Sequence, residues 1–244
     1  NIKISDVTDD YCVLGVFGPK SRDLMKDLSN EDYSNESFKF GTAKYVKINK
    51  TKVWVQRLSY VGELGYELYI EKDRAKEIYN LIIDNGRKYQ LSLCGMHAMD
   101  IMRMESGFLH WGHDISPEEN QYEAGLEFAI SYKKNIDFIG KKSLLKIKEK
   151  KQKKKFVMLT LIDSKPGEPL MLHDEPIYLD GKIIGRTTSG NFSFNYNKNL
   201  AFGYIKIDED INSNKNKVIE IEIEKNKYKA IILTKPLNHK NFKN

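Results

Sequence analysis

The segment from residue 59 to residue 69 interrupts a strand-like pattern with two glycines, and it constrains the fold more than any other stretch. It reads Ser-Tyr-Val-Gly-Glu-Leu-Gly-Tyr-Glu-Leu-Tyr, with glycines at positions 62 and 65. Two glycines so close together in a strand pattern indicate a bulge, or a place where the backbone closely approaches another group. Glu67 then alternates with apolar and aromatic neighbours, so its carboxylate either faces solvent or is held for a partner.

The first half of the chain predicts an α+β unit. Apolar and β-branched runs predict four strands, at Tyr11–Phe17, Thr42–Asn49, Lys52–Ser59 and Tyr66–Ile70, with a hairpin joining the middle two. A short helix should be capped by Ser21, and a longer one should begin at Asp73 and stop at Asn85-Gly86. The apolar positions that should face inward are Leu24, Met25 and Leu28 in the first helix, and Ala75, Ile78, Tyr79, Ile82 and Ile83 in the second. This order of elements is most of a ferredoxin-like unit.

The second half predicts a small antiparallel β-barrel. The strand-like runs are Phe156–Ile162, Glu175–Leu179, Lys182–Thr188, Leu200–Ile207, Lys217–Glu224 and Tyr228–Thr234. Asp180-Gly181 and Lys225-Asn226 lie between neighbouring runs as hairpin turns. We therefore predict an α+β domain over residues 1–145, a Lys-rich linker over residues 146–155 and a β-barrel over residues 156–244.

Charge and composition narrow the classes of partner. The net charge is +6, but the densest basic stretch, Lys141–Lys155, has nine lysines and no aromatic residue that could stack on a base. We interpret it as a solvated helix or linker and expect no nucleic-acid partner. We expect no membrane partner, because no run is long enough to span a bilayer, and two cysteines fit a reducing, cytoplasmic compartment. The chain starts at Asn1 rather than Met, so we expect a fragment or a processed product.

Two further segments carry candidate chemistry. The methionine-rich stretch Gly95–Gly107 predicts a helix that packs in a core, with Asp100 and Arg103 spaced to pair. The cluster His110-Trp-Gly-His-Asp114 could ligate a metal, but two histidines and an aspartate are not a specific motif. We expect no metal here, and instead a turn with Trp111 packed and the histidines hydrogen-bonded.

Glu67 is the strongest candidate for a ligand contact. A buried carboxylate is costly unless it is paired or hydrogen-bonded. A heterocycle with an amino group beside a ring N–H would satisfy both carboxylate oxygens at once. We expect the carboxylate to point inward, with Tyr60 as an aromatic wall across the glycine break. An exposed glutamate without a ligand is the alternative, since most glutamates are exposed.

The chain resembles the folate-binding superfamily typified by the aminomethyltransferase (T-protein) of the glycine cleavage system, and most closely the C-terminal part of dimethylglycine and sarcosine dehydrogenases. The dehydrogenase branch is favoured by the sequence Val61-Gly-Glu-Leu-Gly65 and by the pair His110-Trp111. The matching segments are Asp10–Pro19, Ser59–Tyr69, Ala98–Gly107, His110–Asp114, Glu123–Leu126, Asp137–Gly140 and Gly185–Gly190.

The resemblance implies a set of folate-contacting positions. Tyr60 and Glu67 match the tyrosine and glutamate that bind tetrahydrofolate, and the glutamate holds the pterin edge. Met99 stands where the family has an arginine, and Phe242 stands where it has a tyrosine. With Trp111 these are our candidate cofactor-binding residues. The family's catalytic aspartate lies upstream of this sequence, so we assign no catalytic residue.

The resemblance also implies a function. In the dehydrogenase branch a flavin part oxidises an N-methyl amine to an iminium, and a folate part captures the one-carbon unit as 5,10-methylenetetrahydrofolate. We expect this chain to be the folate part, with FAD bound only by an upstream domain or subunit and a small N-methyl amine as substrate. A stand-alone aminomethyltransferase or demethylase is one alternative. A non-catalytic folate-binding module is another, and the loss of the arginine at Met99 favours it.

Overall fold

The computed structural model describes residues 2–134, 136–163, 165–207 and 218–238. This part of the chain divides into two compact units. The first unit ends at Met99, and the second comprises Asp100–Asn238. Among the described residues, no helix is both long and apolar enough to cross a membrane.

A four-stranded antiparallel sheet with two helices forms the first unit. The strands are β1 (Tyr11–Phe17), β2 (Ala43–Ile48), β3 (Thr51–Gln56) and β4 (Gly65–Glu71), and their spatial order is β1-β4-β3-β2. The helices are α1 (Ser21–Leu28) and α2 (Lys72–Gly86). The chain therefore follows the predicted order of elements, and each predicted strand is present within a few residues of its expected ends.

One face of this sheet carries the hydrophobic core, and the period-2 alternation of each strand sets which residues do so. In β4 the core residues are Tyr66, Leu68 and Ile70, each with no exposed surface. The other face, which we call the open face, carries the alternate residues. These are Tyr11, Val13, Gly15 and Phe17 of β1, Tyr45 and Lys47 of β2, Lys52, Trp54 and Gln56 of β3, and Gly65, Glu67, Tyr69 and Glu71 of β4.

The helices of the first unit differ from the prediction in three details. Ser21 is the first helical residue rather than the cap, and its hydroxyl donates a hydrogen bond to the Leu64 carbonyl oxygen. Tyr79 is exposed and Ile83 is not among the residues of the core, while Leu81 packs against the core instead. The helical path also continues past Gly86 through a 3₁₀ turn and ends at Gln90, whose φ of 61° is left-handed. Gly86 itself has helical dihedral angles, with φ −70° and ψ −22°, and a Cβ atom at this position would lie 2.6 Å from the Leu91 side chain.

The second unit contains a closed antiparallel β-barrel of six strands. The helix α3 (Met96–Glu105) leads into it, and α4 (Lys141–Lys148) precedes it. The strands are β5 (Lys154–Leu161), β6 (Pro176–Leu179), β7 (Lys182–Ser193), β8 (Lys198–Lys206), β9 (Ile219–Ile223) and β10 (Asn226–Leu233), in the closed order β10-β5-β8-β7-β6-β9. The predicted fold class, α+β followed by an antiparallel barrel, is confirmed.

Local chemistry explains the barrel's hairpins. Asp180 and Gly181 both have positive φ, as the predicted two-residue turn requires. The second turn lies one residue earlier than predicted, at Glu224-Lys225, because Asn226 already pairs with Ile223. The solvated helix predicted for the Lys-rich stretch is confirmed over α4, which has no buried residue. The domain limits at residues 145 and 156 stay a prediction.

Candidate functional site

The loop before β4 is fixed at both ends by hydrogen bonds. At its start, the buried Arg57 guanidinium donates to Asn35 Oδ1 at 2.7 Å and to the carbonyl oxygen of Phe38. At its end, the Leu64 carbonyl oxygen accepts hydrogen bonds from the Gly18 backbone N–H at 2.8 Å and from the Ser21 hydroxyl. The glycine-rich segment is therefore an anchored loop rather than a bulged strand.

The two glycines of this segment have different roles. Gly62 has a φ of 68°, which a turn can use and which side chains other than glycine rarely adopt. Gly65 is the first residue of β4, and the ring of Phe17 lies where its Cβ atom would be. The close approach that the sequence indicated is therefore present, at Gly65.

Glu67 lies on the open face at the centre of the sheet. Its neighbours across the strands are Gly15 on β1 and Gln56 on β3. The expectation that Glu67 points inward is wrong with respect to the hydrophobic core, because Tyr66 and Leu68 occupy that side of the strand. Glu67 is instead a partly exposed residue on the opposite side of the strand.

The hydroxyl of Tyr69 holds the Glu67 carboxylate by donating a hydrogen bond to Oε2 at 3.2 Å. Burial raises the pKa of Tyr69, and the negative charge of Glu67 and this hydrogen bond raise it further. Tyr69 therefore keeps its proton and remains a donor at neutral pH. Within the described ranges no cation is paired with Glu67, so its remaining lone pairs can accept donors from a ligand.

The other candidate residues are distributed over both units. Tyr60 lies in the anchored loop and is partly buried, and Met99 lies on α3 and is also partly buried. Trp111 belongs to the second unit, and Phe242 lies outside the described residues. The roles of Tyr60, Met99, Trp111 and Phe242 in binding folate stay predictions.

The segment His110–Asp114 forms the predicted turn, but Trp111 is not packed. Its side chain is 65% exposed, and its backbone bridges to Ile115 at a turn where Gly112 has a φ of 90°. The rings of His110 and His113 lie with centroids 4.6 Å apart. In the part of the chain that the structure describes, no group of three or more His, Cys, Asp or Glu side chains could hold a metal ion.

Asp114 is instead part of a buried polar network that the sequence did not reveal. Its carboxylate accepts hydrogen bonds from Arg103 at 2.5 Å, Thr188 at 2.6 Å, Ser189 at 2.8 Å and the His110 backbone N–H at 2.9 Å. Arg103 and Asp114 are each 1% exposed.

The predicted pair of Asp100 and Arg103 is confirmed, with Arg103 Nη2 at 2.7 Å from Asp100 Oδ1. Arg103 also forms a hydrogen bond to the barrel, because the same nitrogen donates to the Ser189 hydroxyl of β7 at 2.7 Å. The sequence indicated only the pairing of Asp100 with Arg103, which is the part of this network that lies within a single helix.

Comparisons with known proteins agree with the fold. Residues 1–134 match the family model described as the GCVT N-terminal domain, and residues 154–238 match the glycine cleavage T-protein C-terminal barrel domain. A solved structure, the glycine cleavage system aminomethyltransferase T from Bartonella henselae, aligns with a TM-score of 0.78 over 93% of this chain and 60% of that chain. Its sequence identity is 21%, so this likeness shows the fold alone.

Curated relatives are longer than this chain. The 4-methylaminobutanoate oxidase (formaldehyde-forming) of Paenarthrobacter nicotinovorans is 40% identical over 78% of this chain and 23% of its own length. Human mitochondrial dimethylglycine dehydrogenase is 38% identical over 80% of this chain and 22% of its own length. The aminomethyltransferase of Bacillus subtilis is 34% identical over 79% of this chain and 52% of its own length. The chain thus spans about a quarter to a half of these relatives, and it belongs to the glycine cleavage T-protein (GCVT) family.

Proposed function

We propose that this chain binds the pterin ring of tetrahydrofolate through the Glu67 carboxylate on the open face. The observation that carries the proposal is the position of that carboxylate. It is partly exposed, held by Tyr69 and paired with no cation in the described part of the chain. A pterin presents an amino group beside a ring N–H, and both can donate to one carboxylate as a charge-assisted pair.

We further propose that the bound folate captures a one-carbon unit released by the oxidation of an N-methyl amine. The relatives named 4-methylaminobutanoate oxidase (formaldehyde-forming) and human dimethylglycine dehydrogenase are 40% and 38% identical, while the sarcosine dehydrogenases are 32% identical and the aminomethyltransferases are 31% and 34% identical. The first two relatives support the dehydrogenase-like function over a stand-alone aminomethyltransferase. Holding the folate in place makes the capture step effectively unimolecular instead of bimolecular.

In this proposal the amine is oxidised by a separate flavin-bearing domain or subunit that binds FAD. The product of capture is 5,10-methylenetetrahydrofolate. The contribution of this chain is to bind the pterin edge at Glu67 and to orient it with the help of Tyr69. Restricting the ligand's orientation in this way lowers the entropy cost of the later transfer step.

Calorimetric titration with tetrahydrofolate under anaerobic conditions tests the binding proposal. Replacing Glu67 with Gln removes the charge and one of the two acceptors. We expect binding to weaken by about 1–3 kcal/mol, the usual effect of leaving a polar partner unsatisfied. Glu71→Gln is the matched control, because Glu71 lies on the same strand and the same face but is exposed at the strand end. Equal affinities for the wild-type chain and both variants would remove Glu67 from the site.

A further inference from the structure

The ring of Phe17 lies along the open face across two glycines. A Cβ atom added to Gly15 would lie 2.4 Å from Phe17 Cε2, and one added to Gly65 would lie 2.1 Å from Phe17 Cδ1. Both distances are far below van der Waals contact, so any larger residue at either position would displace the ring. Opposite edges of the ring therefore cover the two glycines, and the ring lies over the sheet instead of extending away from it.

This ring is a diagonal neighbour of the Glu67 carboxylate. Phe17 pairs with Gly65 and Gly15 pairs with Glu67, and all four residues belong to the open face. Diagonal neighbours of this kind are about 7–8 Å apart, a distance that an aromatic side chain can bridge. Gly15 is exposed and Phe17 is partly exposed, so this part of the open face is accessible to solvent.

We propose that Phe17 is the stacking platform for the flat heterocycle whose edge Glu67 binds, an inference that rests on the proposed function. A pteridine ring placed over Phe17 in an offset stack would direct its amino and N–H edge toward the carboxylate. Tyr69 would act as a positioning residue, because its hydrogen bond fixes the orientation of the carboxylate toward that edge. The two glycines are part of this site because they let the ring lie close to the sheet.

The chemistry selects a class of ligand. Phe17 supplies a flat apolar surface, which favours planar aromatic rings over aliphatic groups of similar size. Glu67 supplies two acceptors, which favour an amino group beside a ring N–H. A 2-amino-4-oxopteridine has both properties, and the Gln56 amide across from Glu67 on β3 can donate to its 4-oxo group.

Binding of free pterin, measured by the quenching of its own fluorescence, tests the platform without the glutamate tail of folate. In the full 244-residue chain, Phe17→Leu keeps an apolar side chain but loses the aromatic face. We expect affinity for pterin to fall about five- to tenfold, within the range for stacking on aromatic side chains. Val13→Ala is the control, because Val13 is on the same strand and face and is 50% exposed. Its affinity for pterin should equal that of the wild-type chain.

A second variant tests the geometry of the ring. Gly15→Ala adds one methyl group that would displace Phe17, so it should weaken pterin binding by a similar factor. The double variant Gly15→Ala/Phe17→Leu should bind no more weakly than Phe17→Leu alone, because both changes remove the same platform. Thermal unfolding of each variant confirms that the chain is folded.

The outcomes separate the two proposals. If Glu67→Gln weakens pterin binding while Phe17→Leu and Gly15→Ala bind as the wild type does, the platform is refuted and the proposed function stands. If the folded wild-type chain binds neither pterin nor tetrahydrofolate, both proposals are refuted. Loss of binding in Phe17→Leu and Gly15→Ala, with Val13→Ala unchanged, supports the platform.

Discussion

Removing the Asp114 carboxylate should destabilise the second unit far more than removing a carboxylate from its surface. The substitution Asp114→Ala leaves the Arg103 guanidinium buried, with 1% of its surface exposed and without its closest anion. It also removes the acceptor for the Thr188 and Ser189 hydroxyls and for the His110 backbone N–H. The substitution therefore breaks one buried ion pair and several hydrogen bonds that share a single carboxylate.

The expected loss in the free energy of unfolding follows from these interactions. Breaking a buried ion pair by removing one partner costs about 3–5 kcal/mol. Arg103 keeps its bonds to Asp100, whose side chain is 31% exposed, and to the Phe108 carbonyl oxygen. Since the guanidinium is then still partly compensated, we expect the lower end of that range, about 3 kcal/mol. This is a large part of the roughly 5–15 kcal/mol that keeps a typical protein folded.

Urea unfolding followed by circular dichroism measures this loss, and hydrogen exchange of the β7 amides locates it in the barrel. Asp174→Ala is the control, because Asp174 and Arg186 form an exposed ion pair in the same unit, worth at most about 1 kcal/mol. The double variant Arg103→Met/Asp114→Ala should recover much of the lost stability, since neither charge of this pair is then left buried. If Asp114→Ala loses no more stability than Asp174→Ala, the buried network does not stabilise the second unit.

Burial raises the pKa of Tyr33 to about 12, above its usual value of 10.0. As the pH rises, the unfolded chain therefore loses this proton first, and the free energy of unfolding should fall between about pH 10 and pH 12. Denaturation curves measured across that range should show the free energy of unfolding of the wild type approaching that of Tyr33→Phe. A difference between the two proteins that stays constant with pH would contradict this expectation. Gly185→Ala places a Cβ atom 1.9 Å from the backbone oxygen of Tyr204, so thermal unfolding should show a loss of about 1–3 kcal/mol in stability. Gly15→Ala should lose less stability, because its Cβ atom meets only a side chain.

Local periodicity was sufficient to predict most elements of this fold. The strand Tyr11–Phe17 was predicted with its observed ends, because a run of apolar residues ends at Gly18-Pro19. The turn at Asp180-Gly181 follows from residue types that tolerate positive φ. By contrast, the turn at Glu224-Lys225 was misplaced because neither residue is typical of a left-handed turn, and strand pairing alone fixes its position.

The candidate site could be predicted only in part. Glu67 was identified from its place in a glycine-interrupted strand and from the resemblance, but its face depends on which strands pair with β4. The relation of Phe17 to Gly15, Gly65 and Glu67 depends on the register between β1 and β4, which joins residues about fifty positions apart. The burial of Arg103 similarly depends on a partner strand, β7, far along the chain. Interactions over such long stretches of chain leave no local pattern in the sequence.

A crystal structure of this chain with bound tetrahydrofolate would show whether Glu67 holds the pterin ring. The 2-amino group and the neighbouring ring N–H of the pterin should lie about 2.7–2.9 Å from the two Glu67 carboxylate oxygens. A pterin bound elsewhere on the chain, with Glu67 still contacting only Tyr69, would contradict this prediction.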